Sequence, residues 1–226
     1  MGEPPVVLVH GVATSHAHNW VAPGWVDVLT DDGRDVVAFE LPGHGAAPRL
    51  AADADDADAL LAFLARQPEP VDVVGYSAGA RLVLRAAVRC PEAFRRVALL
   101  GVGDAVFRPA GGSTAALADL LDGDAEPVEP SARVFWRLAG SAGNDRTAVA
   151  AYLRRRPEPM TEAELAGVTP PVLVVVGERD FAAPADRLVA ALPDARLVSL
   201  RGTDHFGLAG DVRAMGAVTA FLAGSE

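Results

Sequence analysis

Short apolar runs rich in β-branched residues recur along the chain and alternate with alanine-rich stretches of helical length. Val6–Val9, Val36–Phe39, Val71–Val74, Val97–Leu100, Val172–Val176 and Arg196–Leu200 predict six strands. The runs ending at Val9, Leu100 and Val176 are almost unbroken hydrophobics, the pattern of parallel strands covered on both faces. Between them the spacing predicts helices over about 53–66, 78–89, 184–191 and 209–223. Strand alternating with helix predicts an α/β architecture: a mostly parallel open sheet of about six strands, flanking helices and right-handed crossovers.

One interval breaks the alternation. After the run ending near Val102 nothing strand-like appears until Val172, and the stretch between contains Gly111, Gly112, Pro127, Pro130, Gly140 and Gly143. Helical patches fall near 114–122, 131–139 and 145–155. Roughly 65 residues is too long for a bare loop in a compact domain. The expected organisation is therefore a sheet core of residues 1–103 and 169–226, with 104–168 as a helical cap or lid inserted over one end of the sheet. Arg154, Arg155 and Arg156 read as a solvated helix end.

Composition narrows the function classes. The chain has 226 residues, the length of one domain, with 20 basic and 30 acidic side chains and a net charge of −10. That balance argues against nucleic acid and anionic membrane surfaces as partners and leaves a small-molecule substrate. All the basic residues are arginine, which excludes a lysine Schiff base and a P-loop lysine. Cys90 is the single cysteine, so neither an intrachain disulfide nor a multi-thiolate zinc site can form. No secretory signal pattern is seen near the N-terminus, and no apolar run approaches the roughly 20 residues that cross a bilayer. The expectation is a soluble, cytoplasmic protein, monomer or homodimer.

Gly75-Tyr76-Ser77-Ala78-Gly79 matches Gly-x-Ser-x-Gly. Alone the motif is weak, but here it follows a predicted strand and opens a predicted helix. At such a junction glycines permit a sharp turn that lifts the serine hydroxyl clear of the sheet. The free amides of the helix N-terminus face developing negative charge there. A serine needs an oriented base. Of the five histidines, His205 lies just past the sixth predicted strand, where ligands bind in open α/β sheets. Asp180 follows the fifth strand in Gly177-Glu178-Arg179-Asp180, and Asp104, closing the fourth, is its rival. His16 and His18 lack a third ligand at metal spacing, so no metal is expected.

Taken in order, these motifs resemble the α/β-hydrolase fold superfamily, and within it the small serine esterases. His10-Gly11-Val12 resembles the oxyanion loop of that family, Leu41-Pro42-Gly43-His44-Gly45 its Pro-Gly-His-Gly turn, and Asp204-His205 its histidine motif. The likeness runs from residue 6 to about 207, and it implies that the first two strands of the family sheet are missing here. It further implies Ser77 as nucleophile, His205 as general base and then acid, and Asp180 as the carboxylate that orients the imidazole. The backbone N–H groups of Val12 and Ala78 would form the oxyanion hole. His10 would shape the loop and, with Phe107, Trp136 and Phe206, line the substrate pocket, although aromatic residues of the insertion can equally pack it onto the sheet.

The reaction so implied is cofactor-independent cleavage of a small ester, lactone or thioester through an acyl-enzyme. The same triad also serves carbon–carbon bond hydrolases, perhydrolases and lyases, and the fold has non-catalytic ligand-binding members. Epoxide hydrolase and dehalogenase chemistry is disfavoured, because those relatives need aspartate where Ser77 stands.

Overall fold

A computed structural model of the chain describes residues 3–51, 54–68, 70–109, 112–123, 126–155 and 158–224. Six strands form one sheet: β1 (Val6–Val9), β2 (Val36–Phe39), β3 (Val71–Tyr76), β4 (Phe94–Leu100), β5 (Val172–Gly177) and β6 (Ala195–Leu200). Their spatial order is β2-β1-β3-β4-β5-β6, and every neighbouring pair is parallel.

The period of two along each strand sorts the core into two layers. Val7, Val9, Val73, Val97, Leu99, Val172 and Val174 face one side; Val6, Leu8, Val74, Ala98, Leu100, Leu173 and Val175 face the other. The first layer is covered by α2 (Asp56–Leu64), α3 (Ala78–Arg89) and α8 (Asp186–Ala191). The second is covered by α1 (Trp25–Asp31) and α10 (Val212–Leu222), through Trp25, Leu29, Val218 and Phe221. Strands covered on both faces need no polar side, which is why their sequences run apolar without alternation.

The helix α1 was not singled out by the sequence pattern. It has only seven residues, carries two β-branched valines, and starts after Gly24 at φ 94°, so its signal reduces to Trp25 and Leu29 one turn apart. It is preceded by a π-helical turn, Ala17–Val21. Capping trims two of the expected helices. Asp55 accepts from the Ala57 N–H and starts α2, and Asp211 accepts from the Arg213 N–H and starts α10. Residues 52 and 53 lie outside the described residues.

Between β4 and β5 the chain forms α4 (Gly112–Asp122), α5 (Pro130–Ser141), α6 (Arg146–Arg154) and the short α7 (Glu162–Leu165). Ala118, Leu121, Ala139, Val149 and Ala150 make a small separate core that closes on Val12 and Ala13 of the loop after β1. Arg154 is an exposed helix end, as expected, and pairs across the surface with Asp119 and Asp122 of α4. Arg156 lies outside the described residues.

Connectivity places the site. From β1 the chain moves outward to β2 and then returns to β3 on the other side of β1, so the loops leaving β1 and β3 diverge. Such a switch point opens a crevice at the carboxyl ends of the strands. At the opposite end of β3 the buried carboxylate of Asp72 is satisfied by Arg34 and Arg95, a structural pairing remote from that crevice.

Candidate active site

The turn from β3 into α3 forces Ser77 into φ 54°, ψ −114°, a conformation that L-residues rarely adopt. Two glycines make the turn possible. A Cβ on Gly75 would meet the Ala80 backbone at 2.8–2.9 Å, and one on Gly79 would run into the carbonyl oxygens of Val9 and His10. The serine is thereby raised over the N-terminus of a twelve-residue helix.

Ser77 Oγ–H donates to His205 Nε2 at 2.9 Å, and His205 Nδ1–H donates to Asp180 Oδ1 at 2.8 Å. The carboxylate only accepts, so it fixes the tautomer that leaves Nε2 free to take a proton. Asp180 Oδ1 also accepts from the Ala182 N–H at 2.7 Å. Asp180 and His205 are buried, and Ser77 is half-buried. The Tyr76 hydroxyl donates to the His205 carbonyl at 2.6 Å, holding the backbone of the histidine; burial pushes the phenol pKa well up, so it stays protonated as a donor. Asp104 does not reach the imidazole. Its Oδ1 accepts from the Leu188 N–H at 2.9 Å and so ties the end of β4 to α8, which has no side-chain cap of its own.

The loop after β1 lies against this arrangement: a Cβ on Gly11 would come 3.4 Å from Ser77 Cβ. Neither the Val12 nor the Ala78 backbone N–H has a hydrogen-bond partner among the described residues. His10 is fully buried, with Nδ1–H donating to the Gly11 carbonyl at 2.7 Å and Nε2 accepting from the Leu41 N–H at 3.0 Å. Nε2 also lies 2.6 Å from Glu40 Oε2, so its contacts tie the loop after β1 to the chain leaving β2, which suits it to shaping the loop rather than lining a pocket.

Of the expected aromatic residues, Phe206, in the short helix α9 (His205–Leu208), is brought beside the Ser77–His205–Asp180 hydrogen-bond chain. Its ring packs edge-on to His205, Phe181 and Phe135. Phe107 lies under Arg187 at 4.0 Å and packs on the sheet core, while Trp136 lies under Arg146 at 3.8 Å and packs on the small core of the inserted helices. Sequence reading missed Phe181, whose ring lies 4.0 Å from the imidazole of His205 although it is 67% exposed. Its only signal was adjacency to Asp180. Among the described residues no three histidine, cysteine or acidic side chains converge as a metal site.

A model of the alpha/beta hydrolase family matches residues 6–215. The pimeloyl-[acyl-carrier protein] methyl ester esterase of Nitrosomonas europaea is 30% identical over an alignment covering 89% of this chain and 88% of that protein. The esterase of the same name from Methylococcus capsulatus is 33% identical, with 81% and 79% covered. Among solved structures, a hydrolase from Pseudomonas aeruginosa superposes with a TM-score of 0.77 at 20% identity, covering 99% of this chain and 91% of that one. The enol-lactonase from Burkholderia xenovorans gives 0.73 at 21%, with 99% and 92% covered. At that identity the structural likeness speaks for the fold alone.

Proposed function

The chain belongs to the alpha/beta hydrolase family and is a serine ester hydrolase, and from that premise we propose that Ser77, His205 and Asp180 cleave a small acyl ester through a covalent acyl-enzyme. The observation that carries this reading is the unbroken chain of hydrogen bonds from Ser77 Oγ through both nitrogens of His205 to Asp180.

In the forward step Ser77 Oγ attacks the ester carbonyl while His205 Nε2 takes its proton. The negative oxygen of the tetrahedral intermediate is held by the unpartnered N–H groups of Val12 and Ala78, the latter at a helix N-terminus. His205 returns the proton to the departing alcohol, leaving the acyl group on Ser77. Water, deprotonated by the same nitrogen, then releases the acid and restores the serine. Asp180 orients the imidazole and stabilises its charged form throughout. Side chains and backbone amides suffice for every step.

The substrate class is taken from the two relatives named for a methyl ester: an acyl ester of a small alcohol, with small lactones and thioesters open to the same route. Helices α4 to α6 act as a cap over the site, a reading supported by their core closing on Val12 and Ala13 and by the Phe135–Phe206 ring contact. Phe206, Phe181 and Phe135 offer the acyl chain an apolar entrance, with Phe107 and Trp136 further along the cap. A cytoplasmic setting accords with the single cysteine.

The test is rapid mixing with p-nitrophenyl esters of increasing acyl length. The reading predicts turnover through an acyl adduct seen by mass, with a burst of nitrophenol stoichiometric with enzyme for esters whose deacylation is the slower step. Absence of turnover across short and medium chains would count against it.

A further inference from the structure

Buried backbone amides are almost always paired, and in the loop after β1 the pairing follows a selective pattern. The Gly11 N–H donates to Asn19 Oδ1 at 3.2 Å, and the Ala13 N–H donates to His44 Nε2 at 3.1 Å. The Val12 N–H between them has no partner among the described residues. His10 Nδ1–H holds the Gly11 carbonyl at 2.7 Å, and in a planar trans peptide the following N–H must point the opposite way.

Both tethers are themselves constrained. Asn19 is buried in the π-helical turn Ala17–Val21, an unusual geometry that recurs at functional sites. His44 is fully buried, and its Nδ1–H donates to the Pro42 carbonyl at 3.2 Å, which leaves Nε2 as an acceptor. Desolvation lowers its pKa to about 4, so the ring stays neutral and the acceptor stays available near neutral pH. Ala13, held by that contact, is at φ 64°, a left-handed conformation an alanine does not choose freely. Two side chains from different parts of the fold therefore take up the amides on either side of one free N–H.

We infer that Asn19 and His44 are positioning residues for the reaction: by occupying the Gly11 and Ala13 amides they leave the Val12 N–H, aimed by His10, as the donor for the charged oxygen above Ser77. The inference rests on the proposed assignment of Val12 to the oxyanion hole. Without either acceptor a second buried donor competes for the same space, and the peptide that carries the Val12 N–H loses its restraint.

The experiment compares Asn19→Leu and His44→Leu, which remove an acceptor, with His44→Gln, which retains one. Steady-state kinetics on a p-nitrophenyl ester are read beside the inhibition constant of an alkyl trifluoromethyl ketone, whose serine adduct carries an anionic oxygen. The acceptor-less variants should lose about ten- to a hundredfold in kcat with KM little changed. Inhibition by the ketone should weaken by a matching factor, and His44→Gln should recover most of the activity. Wild-type kcat in both, or a loss of kcat with ketone inhibition unmoved, overturns the inference. Asn19→Ala or His44→Ala, which also lacks the acceptor, replaces a leucine variant that does not fold. Ser77→Ala, assayed alongside, separates the two readings: if it stays active the proposed function fails, whereas if it is dead while Asn19→Leu behaves as wild type only this inference fails.

Discussion

Ser77 Oγ and His205 Nε2 lie 2.9 Å apart although 128 positions separate them in the chain. Ser77 leaves the interior strand β3 and His205 follows the edge strand β6, so the histidine loop must cross the ends of β4 and β5. Glycines at those ends allow it. A Cβ on Gly177 would collide with the Thr203 carbonyl, and one on Gly101 would lie 3.0 Å from His205 Cε1.

Gly101→Ala tests that crossing. Gly101 is at φ 65°, so any side chain there costs about 1–2 kcal/mol in backbone strain and also presses on the imidazole. The variant should show a lowered Tm and at least a tenfold loss of kcat, about the size expected when a positioned base is displaced. Wild-type kcat in a folded Gly101→Ala protein would mean that the ring has room to spare.

The two carboxylates separate cleanly. Asp180 accepts from His205, whereas Asp104 accepts from the Leu188 N–H. Replacing the triad acid by its amide in another enzyme cost about 10⁴ in kcat, because the wrong tautomer is stabilised. Asp180→Asn should therefore lose most of kcat with modest change in KM, while Asp104→Asn should move Tm and leave kcat near wild type. A dead Asp104→Asn beside an active Asp180→Asn reverses the assignment.

His44 makes a prediction about acid stability. Its pKa falls from 6.5 to about 4 on folding because burial penalises the charged ring. Between those values the unfolded chain binds a proton that the folded protein refuses, so stability is full above pH 6.5 and falls as pH drops towards 4. At about 1.4 kcal/mol per unit the loss approaches 3 kcal/mol. Denaturant unfolding at pH 7 and pH 4.5 should show a smaller acid penalty for His44→Gln than for the wild type. Identical pH dependence in the two proteins would show that His44 is not the group being titrated.

Much of this arrangement is legible in the amino-acid sequence. The apolar runs mark all six strands because parallel strands buried on both faces need no polar alternation, and Ser77, Asp180 and His205 each follow one of them. What escapes is set by contacts distant in sequence. Trp25 and Leu29 are too few to announce α1, and nothing local reveals that Asp104 serves α8 or that Phe181 stacks on His205. The roles of Asn19 and His44 are equally hidden, since an acceptor for a backbone amide has no sequence pattern; it is found only when the loop is seen beside it.

The most direct test of the central claim is covalent labelling. Intact-mass and peptide analysis after exposure to a fluorophosphonate should place one adduct on Ser77 and abolish ester hydrolysis in proportion. Ser77→Ala should take no label, show no burst, and keep a Tm close to wild type, because the change removes only a hydroxyl from a half-buried turn. An adduct on another serine, or hydrolysis surviving undiminished in Ser77→Ala, would contradict the account.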